Sequence, residues 1–190
     1  MRKALPILIP AEKERVLNKV VEEPFNLIHN IEGVHLFCFA YDSLDAKNRK
    51  LLIKNLKGKT NEILAYEENE WAFLILVKIL QATDDTTLIK KTVLSEINKN
   101  VEEIFNLKHY TDLMSSIYSP KCDLIEKHIP GYQKNPENLS KKDDAIRRAE
   151  LVEYTIHEIV NYLSFNLEAT IKNPATSKFV FQVSKAILDQ

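Results

Sequence analysis

Two clusters of basic side chains are the residues of this sequence that could do chemistry, and that chemistry would be the binding of phosphate groups. The first cluster consists of Lys47, Arg49, Lys50, Lys54, Lys57 and Lys59. The second consists of Lys141, Lys142, Arg147 and Arg148. Ammonium and guanidinium groups attract phosphates by charge, and arginine can also donate a pair of hydrogen bonds. We therefore predict that both clusters contact a nucleic-acid backbone.

Each cluster also has a purely structural interpretation. No acidic residue interrupts the middle of the first cluster, but such a basic strip can serve solubility alone. The second cluster lies where a helix is expected to begin, and the free amides of a helix N-terminus add to the attraction for phosphate. Its alternative is a solvated helix face with the i,i+4 pairs Asp143–Arg147 and Asp144–Arg148.

Two further groups of residues imitate enzymatic motifs. Gly58-Lys59-Thr60 matches the end of a phosphate-binding P-loop, but Ile53 stands where the motif requires another glycine. Glu150, Glu153 and His157 can share one helix face, yet one helix supplies too few ligands for a metal ion. We therefore predict that the protein is not an enzyme and has no cofactor, metal or small-molecule substrate.

The composition limits how the chain could bind its partners. The net charge is −1 and the pI is about 6.5, whereas a domain devoted to phosphate binding usually has a pI above about 9. Nucleic-acid binding must therefore come from a local basic face. Cys38 and Cys122 belong to no CxxC pair, which favours a reducing compartment. The longest apolar run, from Trp71 to Leu80, is far below the roughly 20 residues of a membrane span, so we predict no membrane contact.

The elements that must position the basic residues are helices in a repeating array. The chain has only three glycines, which disfavours the tight hairpins of β-proteins. Leu52-Ile53-Lys54 recurs 36 positions later as Leu88-Ile89-Lys90, and Leu17-Asn18-Lys19 is a looser copy. We predict about three degenerate helical repeats in residues 1–120, stacked as an all-α solenoid because one repeat cannot bury its own apolar face.

The pattern changes after these repeats. Prolines and a glycine between residues 119 and 139 predict a loop. Ser140 opens a Ser-x-x-acid capping box ahead of a helix over 142–167, which could break near 154–157. A last helix should run from Pro174 to Ile187. We therefore predict that residues 121–190 are a linker and a helical cap.

Several of these segments resemble a known family. Ser140-Lys141-Lys142-Asp143 and Ile146-Arg147-Arg148-Ala149-Glu150-Leu151 resemble the SKKD-x-x-IRR-x-EL block of the Puf-A/penguin-like branch of the Pumilio family. The segment from Asp84-Asp85-Thr86 to Leu94-Ser95-Glu96 is similar to one repeat of that branch, and Ser119-Pro120 lies where its next repeat ends. The resemblance covers most of the chain from about Glu22 onward.

Pumilio-type repeats recognise RNA bases with side chains from one helix of each repeat. The corresponding positions here are Val34, His35 and Cys38, then Trp71, Ala72 and Ile75, then Thr111, Asp112 and Ser115. The resemblance implies Gln or Glu at the fifth position of each set for recognition of a base edge, whereas Cys38, Ile75 and Ser115 stand there. We therefore expect no base-specific readout.

The resemblance implies the C-terminal portion of a longer right-handed superhelix of Pumilio repeats, capped by a C-terminal penguin-like (CPL) domain. It further implies a nuclear, nucleolar protein of large-subunit ribosome biogenesis that binds RNA (pre-rRNA) or DNA with little sequence preference. Ribosome assembly factors would be its protein partners. The alternative is a protein-docking helical cap that binds another assembly factor while upstream repeats hold the RNA.

Overall fold

The computed structural model describes residues 10–107, 109–119, 122–132 and 141–188. Within these residues the regular structure is helical throughout, which confirms the all-α prediction. None of the described helices is both long and apolar enough to cross a membrane.

Three successive units have the same design, in which a long helix, a short helical segment and a second long helix follow one another. The first unit contains α1 (Pro10–Glu22), a 3₁₀ helix (Pro24–Ile28) and α2 (Ile31–Ser43). The second contains α3 (Ala46–Asn55), α4 (Thr60–Leu64) and α5 (Leu74–Ala82). In the third unit the first long helix runs without a gap through α6 (Thr86–Ile89), a π-helical turn (Lys90–Leu94) and α7 (Ser95–Lys99). The short segment is α8 (Val101–Ile104), and the second long helix is α9 (Tyr110–Tyr118). The chain then forms α10 (Leu124–His128), α11 (Asp144–Lys172) and α12 (Pro174–Leu188).

Short polar side chains fix where the long helices of these units begin. Asn30, Asp45 and Asp85 each accept a hydrogen bond from the backbone N–H three residues later, at 2.7 to 2.9 Å. Such an N-cap satisfies one of the amides that a helix start leaves without a partner. Gly33 is required for close packing, because a Cβ there would lie 2.4 Å from the carbonyl oxygen of Leu27.

The units stack through equivalent helices. The second long helices α2, α5 and α9 pack side by side in that order, and α1, α3 and α6 form a second row. Phe37, Leu74 and Leu113 are fully buried in the first row. Each unit therefore covers the apolar face of the next, as the repeat pattern predicts.

The C-terminal helices cover the third unit. α12 folds back along α11 and packs against α9. Phe179 of α12 is buried, with its ring centroid 5.5 to 6.3 Å from those of Phe105, Tyr110 and Tyr118. Contacts between aromatic rings at such distances add to the stabilisation from buried area.

The long helix α11 differs from its prediction. It has no break at 154–157, and it extends beyond the predicted end at 167. Thr155 is buried, but its hydroxyl donates to a backbone carbonyl one turn earlier at 3.0 Å, so the polar group is satisfied inside the helix. The N-cap is Asp143. Ser140, where the capping box was predicted, lies outside the described residues.

The stretch between 119 and 139, predicted to be mostly loop, contains one short helix, α10. Residues 122–132, which we name the covering segment, lie across α5 and reach α2. His128 stacks on Trp71 with ring centroids 4.4 Å apart, and Tyr132 contacts a phenylalanine ring of α2 at 5.5 Å. Most of the remaining predicted loop lies outside the described residues.

Candidate nucleic-acid interface

Four lysines of the first cluster share one face of α3 and the turn after it. These residues are Lys47, Lys50, Lys54 and Lys57, and all four are exposed. Their spacing of three or four positions places them in one row along the helix. The opposite face buries Leu52 and Ile53. Lys50 Nζ lies 3.9 Å from Asp85 Oδ2, and an exposed ion pair of that length is weak. The row can therefore offer its charges to phosphates.

The other two members of the first cluster have structural contacts. Arg49 donates to two backbone carbonyls at the end of α2, at 3.0 and 3.3 Å, and its guanidinium lies 5.3 Å from the ring centroid of Tyr41. Lys59 pairs with Glu62 at 2.7 Å and lies 4.6 Å from the ring centroid of Phe25. Their charges are thus largely committed to the fold.

Lys141 and Lys142 lie against the turn that precedes α6. The carboxylate of Asp84 accepts hydrogen bonds from both backbone N–H groups, at 3.0 and 3.2 Å. Lys142 Nζ pairs with Glu150 at 2.7 Å and donates to Thr86 at 3.3 Å. Hydrogen bonds from Lys142 and then Thr86 lower the pKa of the Glu150 carboxyl. Lys142 is therefore engaged within the fold, whereas the side chain of Lys141 is exposed.

Arg147 is buried, with 3% of its surface exposed, and its Nη2 pairs with Asp144 at 2.5 Å. The i,i+4 pairs considered from the sequence, Asp143–Arg147 and Asp144–Arg148, are not formed between these described residues. The reason is that Asp143 caps the helix while Asp144 already pairs with Arg147. Arg147 therefore has no exposed charge for a phosphate, and Arg148 is half-buried.

The fold brings the two basic clusters together at one turn. Asp84 binds the backbone of Lys141 and Lys142, and the neighbouring Asp85 lies beside Lys50. Asp85 is also the N-cap of α6, so its carboxylate has a structural function. Lys50 and Lys141 therefore lie at this turn, and the other exposed lysines continue the row along α3. We name them the basic surface, which consists of Lys47, Lys50, Lys54, Lys57 and Lys141.

The positions that correspond to base-recognition sites are mostly covered by the chain itself. Val34, Cys38, Ala72, Ile75 and Thr111 are buried. Trp71 is covered by His128, and Ser115 Oγ donates to Gln182 of α12 at 2.8 Å. His35 is half-buried, and burial lowers its pKa. A base could reach Trp71 only by displacing the covering segment, and Ser115 only by displacing α12, whereas Asp112 is exposed.

The imitation P-loop has a different partner from the one that its sequence suggests. Glu96 of α7 accepts hydrogen bonds from the backbone N–H groups of Gly58 and Thr60, at 2.5 and 2.9 Å. A carboxylate of the next unit therefore occupies the amides that would face a phosphate in a true P-loop. Glu150, Glu153 and His157, considered above as metal ligands, form no such site. Among the residues that the structure describes, no group of three or more His, Cys, Asp or Glu is suited to a metal ion.

Sequence reasoning missed Lys178 and Lys185, which together with Arg148 surround a groove between α11 and α12. The available signal was the spacing of Lys178, Phe181 and Lys185 along one face of the last helix. The opposite face, which includes Phe179, is buried. The exposed ring of Phe181 between Lys178 and Lys185 on a half-buried helix indicates a second binding surface.

The C-terminal part of the chain matches a known domain family. Residues 116–188 match the CPL (NUC119) domain family. The chain is 26% identical to Pumilio homolog 3 of Danio rerio over an alignment of 163 positions, which covers 84% of this chain and 25% of the relative. It is 23% identical to Pumilio homology domain family member 6 of Saccharomyces cerevisiae over an alignment of 191 positions, which covers 96% of this chain and 28% of the relative. The chain thus spans about a quarter of the length of these relatives.

Two solved structures share its fold. Human Puf-A in complex with DNA superposes with a TM-score of 0.76 at 20% identity, over 94% of this chain and 35% of that one. Human Puf-A alone gives a TM-score of 0.75 over the same shares. The protein is therefore an all-α protein with a Pumilio-like helical fold. The CPL match, the Pumilio homolog 3 relatives and the Puf-A structures together confirm the resemblance to the Puf-A/penguin-like proteins that the sequence implied.

Proposed function

We propose that this protein is a nucleic-acid-binding scaffold that holds the sugar–phosphate backbone on its basic surface. The observation that carries the proposal is the row of exposed lysines on α3, joined by Lys141 at the Asp84–Asp85 turn. Lysine contacts to phosphates give affinity without sequence information, and they suit RNA and DNA alike. The solved complex of human Puf-A with DNA, a protein of the same fold, supports this class of ligand.

The scaffold binds without reading bases. Most of the positions that would do so are buried or covered by the covering segment and α12. Within this proposal the natural ligand is pre-rRNA, the protein partners are ribosome assembly factors, and the protein acts in the nucleolus during large-subunit biogenesis without an enzymatic activity of its own. Crosslinking to RNA in cells tests this role, and crosslinks confined to RNAs other than pre-rRNA would contradict it.

Backbone binding is tested with the triple variant Lys50→Gln, Lys54→Gln and Lys57→Gln. Affinity for a labelled single-stranded RNA should fall as salt rises, and the slope of log K against log salt should be shallower by about 2 in the variant. The control is Lys99→Gln, Lys127→Gln and Lys172→Gln, which changes the net charge equally at exposed sites elsewhere. It should keep the original slope.

Oligonucleotides of different sequence should bind with affinities within about three-fold of one another, because backbone contacts carry no base information. Salt-independent binding, no binding at all, or equal losses in both triple variants would each reject the basic surface as the interface.

A further inference from the structure

A groove of about 620 Å³ lies between the N-terminal half of α11 and α12, at the end of α9. The residues that line it are Ile117, Tyr118, Ser119, Ala145, Arg148, Ala149, Val152, Lys178, Phe181, Gln182, Lys185 and Ala186. Three alanines on its two walls keep the space between the helices open. The volume lies within the range of about 300–1,000 Å³ that is typical of binding pockets.

The rim of the groove carries charge of one sign. Arg148, Lys178 and Lys185 line it, and none of the described residues that line it is acidic. None of these three cations forms an ion pair with another described residue. This contrasts with Lys142 and Arg147 nearby, which have carboxylate partners at 2.7 and 2.5 Å. The groove therefore presents three cations without a direct ion-pair partner among the described residues, although acidic side chains line the neighbouring cavities beside Arg148 and Lys178.

The apolar part of the groove is built for side chains rather than for bases. Phe181 is 71% exposed at its edge, although Phe179 on the same helix is 1% exposed. Ile117 and Val152 are buried beneath the floor of the groove. A base stacks on an exposed ring, and the one strongly exposed ring of the lining lies at the edge, whereas an inserted leucine or phenylalanine side chain suits the alanine-lined interior.

We propose that this groove is a docking site for an acidic amphipathic helix of another protein. The apolar face of that helix packs against Phe181 and between the alanine-lined walls. Acidic residues on either side of this face pair with Arg148, Lys178 and Lys185, so charge complementarity selects the partner. This site is separate from the basic surface of α3 and does not depend on the nucleic-acid proposal.

The test uses the whole chain and a labelled helical peptide of about four turns, with leucine along one face and glutamate on the flanks. Fluorescence anisotropy should show saturable binding. A matched peptide with lysine for every glutamate should bind at least about ten-fold more weakly. Phe181→Ala and the double variant Lys178→Glu/Lys185→Glu should each weaken binding of the acidic peptide by a similar factor.

Two controls separate loss of the groove from loss of the fold. Phe165→Ala removes a phenylalanine that is 83% exposed on α11 outside the groove, and it should leave binding unchanged. The α3 triple variant should do the same. No binding of the acidic peptide, equal binding of both peptides, or insensitivity to Phe181→Ala overturns the proposal. If single-stranded RNA competes with the peptide and that competition is lost in the groove variants, the groove binds RNA and the proposal fails. If light scattering shows a dimer that Phe181→Ala disrupts, the groove binds a second copy of the chain and the proposal also fails.

Discussion

Asp42, Lys78 and Tyr132 form a charged cluster inside the core, and the cluster joins the first two units to the covering segment. Lys78 is 2% exposed, and its Nζ donates to Asp42 Oδ1 at 2.5 Å and also to the Tyr132 hydroxyl. Tyr132 in turn donates to Asp42 Oδ2. Burial lowers the pKa of Lys78, and Asp42 opposes that change. Burial and Asp42 both raise the pKa of Tyr132, which keeps its hydroxyl protonated as a donor.

Lys78→Met should lower the free energy of unfolding by about 3–5 kcal/mol, because it leaves the carboxylate of Asp42 buried without its counter-charge. The double variant Lys78→Met/Asp42→Asn should be more stable than Lys78→Met alone, since the remaining buried group is then neutral. Urea denaturation measures both values. Lys54→Met, on the exposed face of α3, is the control and should change stability by less than about 0.5 kcal/mol. An unchanged stability of Lys78→Met would show that the cluster does not bear on folding.

The sequence could predict the exposed lysines of α3 but not the buried cations. Long charged side chains are usually exposed, and the lysines of α3 follow that rule. Lys78 does not, because the carboxylate of Asp42, 36 positions away, pairs with it inside the core, and Arg147 is buried although its partner Asp144 is local and exposed. A partner at that distance in the chain follows from tertiary packing, which periodicity alone does not specify.

Successive units are joined by side chains that bind the backbone of the preceding unit. Glu96 of α7 accepts from two amides at the start of α4. One unit earlier, Asn55 at the end of α3 donates to the carbonyl of Val21 in α1 at 2.7 Å. Both contacts satisfy backbone groups at helix ends that would otherwise need water. They set the position of each unit on its neighbour.

Glu96→Ala should therefore lower the free energy of unfolding by about 1–3 kcal/mol, because two amides lose a charged acceptor. Glu96→Gln retains one acceptor oxygen and should lose less. Chemical denaturation gives both values. The control Glu153→Ala removes an exposed glutamate of α11 and should stay within about 0.5 kcal/mol of the parent protein. If Glu96→Ala matched that control, the junction between the second and third units would not rest on this contact.

Local sequence signals placed several elements well. The Ser-Lys-Lys-Asp segment contains Asp143, the N-cap of α11, and Pro174 begins α12. The signals failed where tertiary contacts outweigh local preference. α10 forms in a proline-bounded stretch because it packs on α5, and α11 continues past Thr155 because Ile159 and Leu163 extend its buried face.

The three units and the C-terminal helices share one continuous core, and the single tryptophan lies between the second unit and the covering segment. Trp71 belongs to the second unit but stacks on His128 of the covering segment. We predict that Trp71 fluorescence and far-UV circular dichroism report the same urea midpoint, as in a two-state transition. His128→Ala should change the native fluorescence while the two midpoints still coincide. Helical signal that persists beyond the fluorescence transition would instead indicate units that unfold separately.

At the scale of the whole molecule, the sequence predicted the fold class and the family, because repeat spacing and the SKKD–IRR block are local. It did not predict that the covering segment and α12 lie over the second long helices. That arrangement depends on contacts such as Tyr132 with Asp42 and Gln182 with Ser115, which are 90 and 67 positions apart. The boundary between repeats and cap at residue 120 stays a prediction.

The burial of Ile75 bears on any attempt to engineer a programmable RNA reader from this scaffold. Installing glutamine there, as a base-recognising repeat would have, would place an amide in an apolar interior at a cost of about 1–3 kcal/mol instead of offering it to a nucleotide. A designer would also have to reroute residues 122–132, which pack on α5 and cover Trp71 just before it. Only then could side chains substituted along α5 contact RNA.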